Sequence, residues 1–291
     1  MGVQYGLRSM LEGNLSAEEF LFINFFIGGW KDPADMVQET CPYYPTPGCF
    51  IGFDVPDQWD PWSVRNMVLS DGFTPAPRTE GSIEAMNAAY EKGHVFVGDI
   101  DIPVIDWRNY LEQELDMHNT HQSFASRQRI RDFRGDSDNQ LIWFTDALGG
   151  AQFDQTPEAL EVMDEWMMNI LAHPELGVAG NKPALAVDRC FDTFGNEIAS
   201  GDDVWDGILD DSPPGDCTVL FPVYGTSRIV AGGPFKGSIF KCELKSVGKA
   251  IADGDYGVWA PTAADRAMLH QIFPSGVCDF SKPDAGLPSD W

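Results

Sequence analysis

The stretch from Val95 to Thr145 constrains the fold more than any other part of this chain. It reads VFVGDIDIPVIDWRNYLEQELDMHNTHQSFASRQRIRDFRGDSDNQLIWFT. The apolar run Ile102 to Ile105 has the composition of a strand, and a loop crowded with carboxylates and two histidines follows it. A polar helix comes next, Gly135 and Asp136 turn the chain, and Leu141 to Phe144 forms a second apolar strand. Two strands separated by a helix are too far apart in sequence for a hairpin. They pair in parallel through a crossover, which makes the architecture α/β. In open α/β sheets, chemistry sits where loops leave the carboxyl ends of the strands. Here that loop is Asp106 to His121, and it holds Asp106, Glu112, Glu114, Asp116, His118 and His121.

Charge narrows the partners. The chain has 291 residues, with 19 Lys and Arg against 45 Asp and Glu, for a formal net charge of −26. Such a field repels phosphate backbones and anionic lipid, so neither nucleic acid nor a membrane surface is an expected partner. No run approaches the roughly 18–20 apolar residues of a membrane span. Leu15 to Trp30 comes nearest, and Ser16, Glu18, Glu19 and Asn24 interrupt it.

Six cysteines, Cys41, Cys49, Cys190, Cys217, Cys242 and Cys278, form no CxxC pair, so zinc knuckles and thioredoxin-type sites find no support. Cys41 and Cys49 flank CPYYPTPGC, whose prolines and glycine bend the chain back on itself, as a local disulfide requires. The other four lie in a Gly- and Pro-rich region. An even count there implies disulfides and an oxidising compartment, against the blander reading of six buried thiols. An exported chain would open on a basic segment and an apolar stretch, and MGVQYGLRSMLEGN has neither.

Around the central unit, local signals mark further elements. Residues 1–30 read as two short helices with a turn at Gly13-Asn14, a capping box of Ser16 and Glu19, and a stop at Gly28-Gly29. Residues 31–81 read as a long loop rich in proline and in aromatics such as Tyr43, Tyr44, Trp59 and Trp62, either an ordered insertion or a lid over a substrate. Ser82 caps a helix carrying Ile83, Met86 and Tyr90. Thr156-Pro157 opens the clearest helix, whose stripe Leu160, Met163, Met167, Ile170 and Leu171 is expected to face the core. Thr218–Tyr224, Ser227–Ala231 and Ile239–Leu244 read as short strands. Thr262 with Asp265 opens a last helix, and Cys278 ties down the tail.

Common catalytic signatures are absent or broken. GTSRI at Gly225 lacks the second glycine of a nucleophile elbow, no H-E-x-x-H occurs, and GGPFKGS at Gly232 has Ser238 where a phosphate loop needs lysine. The acidic run from Asp202 to Asp211 breaks the calcium-loop template at Val204 and Pro213 and reads as a solvated loop. ELDMHNTHQSF remains. A carboxylate beside an imidazole is what a general base requires, because the acid holds the tautomer and stabilises the imidazolium. Asn119 or Thr120 would cap the next helix, placing Asp116 and His118 in the loop and His121 in the first turn. Three readings stand together: catalytic; structural, with these groups satisfying backbone at the helix start; or metal-ligating through His118, His121 and Asp116 or Glu114.

The runs VQYGLRSMLEGNLSAEEFLFINFFIGGW, DIPVIDWRNYLEQELDMHNTHQSFASR, DNQLIWF, SRIVAGGPFKGSIFKCELK and IFPSGVCDFSKPDAG resemble a family of bacterial secreted proteins known only as a domain of unknown function. That family looks like an α/β-hydrolase, distantly similar to tannase and feruloyl-esterase-like enzymes. The resemblance covers essentially the whole chain. It implies the C-terminal part of an α/β-hydrolase-like sheet, with a lid-like segment over 1–81, a core over 82–174 and a disulfide-tied extension over 175–291. It further implies that these residues are the later portion of a longer protein, whose earlier portion supplies the first strands and the serine. In the hydrolase order of serine, acid and histidine, the acid follows a late strand, which makes Glu112 or Asp116 the candidate. The histidine should follow the next strand, but TDALGGAQFDQT contains none, so His118 or His121 takes the role from an unusual position. The implied activity is hydrolysis of an ester or related acyl bond in a small or polymeric extracellular or periplasmic substrate, with no organic cofactor. The alternatives are a non-catalytic secreted module binding a carbohydrate or polyphenol, and a metal-dependent hydrolase built on the His118/His121 loop.

Overall fold

A computed structural model of the protein describes residues 1–36, 66–112, 119–147 and 153–289. In chain order come α1 (Leu7–Leu11), α2 (Ala17–Phe26), β1 (Ile27–Trp30), β2 (Met67–Leu69), α3 (Ile83–Glu91) and β3 (Val104–Tyr110). Then follow α4 (His121–Arg134), β4 (Gln140–Asp146), α5 (Thr156–Ala172), α6 (Gly177–Gly180), β5 (Arg189–Phe191) and β6 (Glu197–Ser200). Last are α7 (Asp216–Leu220), α8 (Ser227–Val230), β7 (Glu243–Lys245), α9 (Val247–Asp253), α10 (Ala263–Ile272) and β8 (Val277–Asp279). The chain divides into two compact units. One comprises Met1–Tyr90, Ser227–Pro234 and Ser238–Trp291; the other comprises Glu91–Thr226 and Phe235–Gly237.

The second unit is built on a sheet ordered β3-β4-β5-β6. β3 and β4 pair in parallel from Val104↔Gln140 to Tyr110↔Asp146, as the strand–helix–strand pattern requires. β5 adds in parallel to β4, and β6 closes the edge antiparallel to β5. β3 is longer than the apolar run suggested: Asp106 to Tyr110 continue the strand, so Asp106 belongs to the sheet and the loop begins at Leu111. Pairing with β4, rather than hydropathy, carries the polar residues into the ladder. Leu141, Ile142, Trp143 and Phe144 are fully buried, as expected of a parallel strand covered on both faces.

Alternation along β4 sends its side chains into two cores. Ile142 and Phe144 join Tyr110, Phe124 of α4, Trp205 and Phe221 on one face. Leu141 and Trp143 join Val162 and Trp166 of α5 and Phe191 on the other. β3, β4 and β5 step across the sheet in one direction, so two right-handed crossovers would set α4 and α5 on the same face. They lie on opposite faces, and one of the two connections therefore runs in the uncommon hand. A buried ion pair fastens α4 to this sheet: Arg127 donates to Asp188 at 2.5 and 2.8 Å and to the Gln140 carbonyl, while Asp188 accepts from Ile142 N. α4 stops at Gly135, whose φ of 94° lies in the left-handed region that favours glycine.

The face of α5 differs from the expected one. Val162 and Trp166 are buried, with Ala159 and Ile170 packed beside them, whereas Leu160 and Leu171 are 62% and 71% exposed. Of the expected stripe, Ile170 meets this core, whereas Leu160, Met167 and Leu171 lie on the exposed side.

The first unit has its own core, in which Phe20 of α2 packs with Tyr256, Leu269, Ile272 and Val277. Both expected capping boxes are present, Ser16 with Glu19 and Thr262 with Asp265. α2 ends at Phe26, and Gly28-Gly29 lie within β1, which pairs with β2. The segment 31–81 is therefore not loop throughout. Of the short strands expected between residues 218 and 244, the first begins in α7 (Asp216–Leu220) and continues as irregular chain, and the second is helical in α8 (Ser227–Val230). β-branched residues favour strands only where a partner strand exists, and in both places the chain closes its own turns instead. The third survives in part as β7, paired with β8.

Two disulfides stand among the described residues. Cys190–Cys217 links β5 to α7, and Cys242–Cys278 brackets the β7–β8 pair and holds the tail as expected. Cys41, Cys49 and the aromatic residues between 43 and 62 lie outside the described residues. No helix among the described residues is long and apolar enough to cross a membrane.

Candidate functional site

The loop that leaves the carboxyl end of β3 reaches α4 through residues 111–120. Both of its ends are described. Tyr110, the last residue of β3, donates from its hydroxyl to the Pro222 carbonyl at 2.7 Å and rests edge-on against Phe221. Two residues on, the Glu112 carboxylate accepts from both the backbone N–H and the hydroxyl of Thr120. This carboxylate closes the loop onto the first turn of α4. There the exposed N–H groups and the helix dipole favour a negative charge.

Asn119 is the hub of the turn. Its carbonyl accepts from Arg108 Nη1 at 3.1 Å, which ties the turn to β3. Its side-chain Oδ1 accepts from the His121 backbone N–H at 3.2 Å and lies 2.7 Å from His121 Nδ1. That oxygen is an acceptor for both, so the ring proton sits on Nδ1 and Nε2 keeps its lone pair. The His121 ring meets Phe235 edge to face with centroids 5.7 Å apart. His121 is 2% exposed. Burial, reinforced by the guanidinium charges of Arg108 and Arg129, holds its pKa down to about 4. At neutral pH it is an uncharged imidazole with an amide, not a carboxylate, behind it.

Of the candidate residues, Glu112 and His121 are brought into one turn, one bonded to Thr120 and the other to Asn119. These bonds satisfy backbone and side-chain groups at the helix start. Asp116, His118 and Glu114 lie outside the described residues. Asp106 sits on β3, 3.5 Å from Arg108 Nε. Among the described residues no group of three or more His, Cys, Asp or Glu side chains is placed to hold a metal ion.

Other polar groups at this end of the sheet were not singled out in the sequence. Thr145 of β4 accepts from Trp107 Nε1 at 3.0 Å, and Asp146 sits opposite Tyr110 at the end of β4. Asn109 buries its Oδ1 with no hydrogen-bond partner. Asn119 was visible only as a capping residue. Its role as the imidazole's partner depends on the turn folding back, which spacing does not encode.

The chain belongs to a tannase-like family of unknown function (DUF6351), which it matches over residues 1–288. That membership bears out the resemblance drawn from the sequence. No curated protein and no solved structure matches the chain.

Proposed function

We propose, with membership of that family as the premise, that this chain carries the acid and base of a serine hydrolase that cleaves ester bonds. The observation that carries the reading is the tannase-like match along nearly the whole chain. Consistent with it, the carboxylate- and histidine-bearing loop leaves the carboxyl end of a parallel strand, where α/β enzymes place their chemistry. None of the serines lies in a G-x-S-x-G elbow, so the nucleophile is assigned to sequence outside these 291 residues.

In this reading the serine hydroxyl attacks the ester carbonyl while a histidine takes its proton. The tetrahedral intermediate collapses, and the alcohol leaves with that proton. Water, activated by the same histidine, then hydrolyses the acyl-enzyme. His118 is the better base of the two. His121 is buried and neutral down to about pH 4, which makes it a weak proton acceptor for a serine hydroxyl. Asp116 is the better orienting acid, because Glu112 is already engaged by Thr120. His121 and Glu112 then shape the turn that presents the other two. The two disulfides support an oxidising compartment, extracellular or periplasmic.

The test is hydrolysis of a chromogenic short-chain ester by the whole gene product, including whatever sequence precedes these residues. His118→Ala should lower kcat/KM by about 10³–10⁴-fold without shifting the urea midpoint, as removal of a triad base does. Full activity in that variant removes His118 from the mechanism. A folded whole product inactive on every ester removes the hydrolase reading itself.

A further inference from the structure

The first unit contains a cavity of about 530 Å³, far from trivial for a small ligand. Its charge is unusual for a chain with a net charge of −26. Among the described residues, Lys31, Arg78, Arg228 and Lys241 line it, against the carboxylates of Asp32 and Glu80. Lys241 is paired with Glu80 at 2.6 Å. The two arginines, in contrast, donate to neutral oxygens among the described residues. Arg228 Nη1 donates to the Ile239 and Phe240 carbonyls at 2.8 and 2.7 Å. Arg78 donates to the Val3 carbonyl and to the carbonyl and side chain of Asn24. Its guanidinium is held between the rings of Tyr5 and Phe273, with centroids 4.9 and 4.7 Å away, and its Nε is buried without an acceptor. Burial lowers the Arg78 pKa to about 10, a sign of a positive charge short of compensation. Lys31 has no carboxylate partner among the described residues either.

Half-buried cations gathered around one cavity repel one another, and an anion placed among them relieves that repulsion. Elsewhere this acidic chain has carboxylates to spare, yet among the described residues none is paired with these three cations. Trp30, Met86 and Phe240 supply an apolar side to the same cavity. We propose that this cavity is a binding site for a small organic carboxylate with a flat apolar body. Its carboxylate would be received by the Arg78, Arg228 and Lys31 charges, and its body would lie against Trp30 and Phe240. The planar donor forks of the arginines match a carboxylate's two oxygens, and the aromatic faces match a ring. The site lies outside the β3–α4 loop, so it stands or falls independently of the hydrolase reading.

Calorimetric titration tests it with benzoate, its neutral counterpart benzamide, and phenyl phosphate as probes. Benzoate should bind saturably at one site, and benzamide should bind at least about tenfold more weakly, because it lacks the charge-assisted hydrogen bonds. Arg228→Gln should weaken benzoate by a similar factor. Lys31→Gln, which removes no side-chain bond among the described residues, should weaken it several-fold at an unchanged urea midpoint, and it decides the matter if Arg228→Gln perturbs folding. Benzamide binding as well as benzoate overturns the proposal, as does Lys31→Gln binding like wild type. Phenyl phosphate binding far more tightly than benzoate overturns the carboxylate assignment, and no saturable benzoate binding overturns the site.

Discussion

His121 and Arg127 sit six residues apart on α4 and show how differently one helix can bury titratable groups. Arg127 meets both oxygens of Asp188, which also accepts from the Ile142 N–H of the sheet. Such a pair stabilises little beyond a hydrophobic substitute, but removing one partner strands the other's charge in the core. His121 has no counter-charge and stays neutral instead. Its folded pKa of about 4 lies below the usual 6.5, so the unfolded chain takes up the proton first. Stability is therefore fully present above about pH 6.5 and declines as pH falls towards about 4, by about 3 kcal/mol across that window. Urea unfolding at the two ends of the window should show this loss in wild type and its absence in His121→Gln. Parallel behaviour of the two proteins would mean that the imidazole is not held neutral in the fold.

At the scale of the element, α5 is the instructive case. Both an outward stripe (Leu160, Met167, Leu171) and an inward one (Ala159, Val162, Trp166, Ile170) satisfy helical spacing. The sheet chooses between them. Trp166 fills the space against Leu141 and Trp143 and donates from Nε1 to the Val178 carbonyl at 2.8 Å. Trp166→Ala should cost about 3–5 kcal/mol, the usual range for emptying a large aromatic site. Leu171→Lys, on the exposed side, should stay within about 0.5 kcal/mol of wild type. Chemical denaturation of both variants checks the assignment, and a large loss for Leu171→Lys would reverse it. The same lesson holds for α7 and α8. Their residues suit strands, yet neither segment joins a sheet among the described residues, and a short helix satisfies its own backbone groups.

For the molecule as a whole, the disulfides distribute cross-links between the two units. Cys190–Cys217 lies in the core of the unit built on the four-stranded sheet, and Cys242–Cys278 lies in the other. With its cysteines 27 positions apart in sequence, Cys190–Cys217 should contribute about 3–4 kcal/mol by restricting the unfolded chain. The double substitution Cys190→Ser, Cys217→Ser should lower the urea midpoint accordingly. Reductant should have the same effect on wild type and little further effect through this bridge on the variant. An unchanged midpoint would show that the sulfurs are not bonded in solution. A net charge of −26 repels itself and opposes compaction, which leaves the fold more dependent on such cross-links.

The sequence by itself determined what local chemistry settles. A strand, a polar helix and a second strand in that order permit a parallel crossover and little else, and β3, α4 and β4 form it in register from Val104↔Gln140. Ser16 with Glu19, and Thr262 with Asp265, determined where two helices begin, because a cap and its partner lie within one turn. Family membership, too, was legible in the runs around the central unit and the tail. Only the tertiary structure decided which stripe of α5 is buried, which cysteines of the later chain join, and that Asn119 rather than a carboxylate stands behind His121. Each of these depends on groups brought together by packing, such as Trp143 beneath Trp166 or Phe235 against the imidazole. Burial is a property of the neighbours a residue acquires, and those neighbours lie far away along the chain.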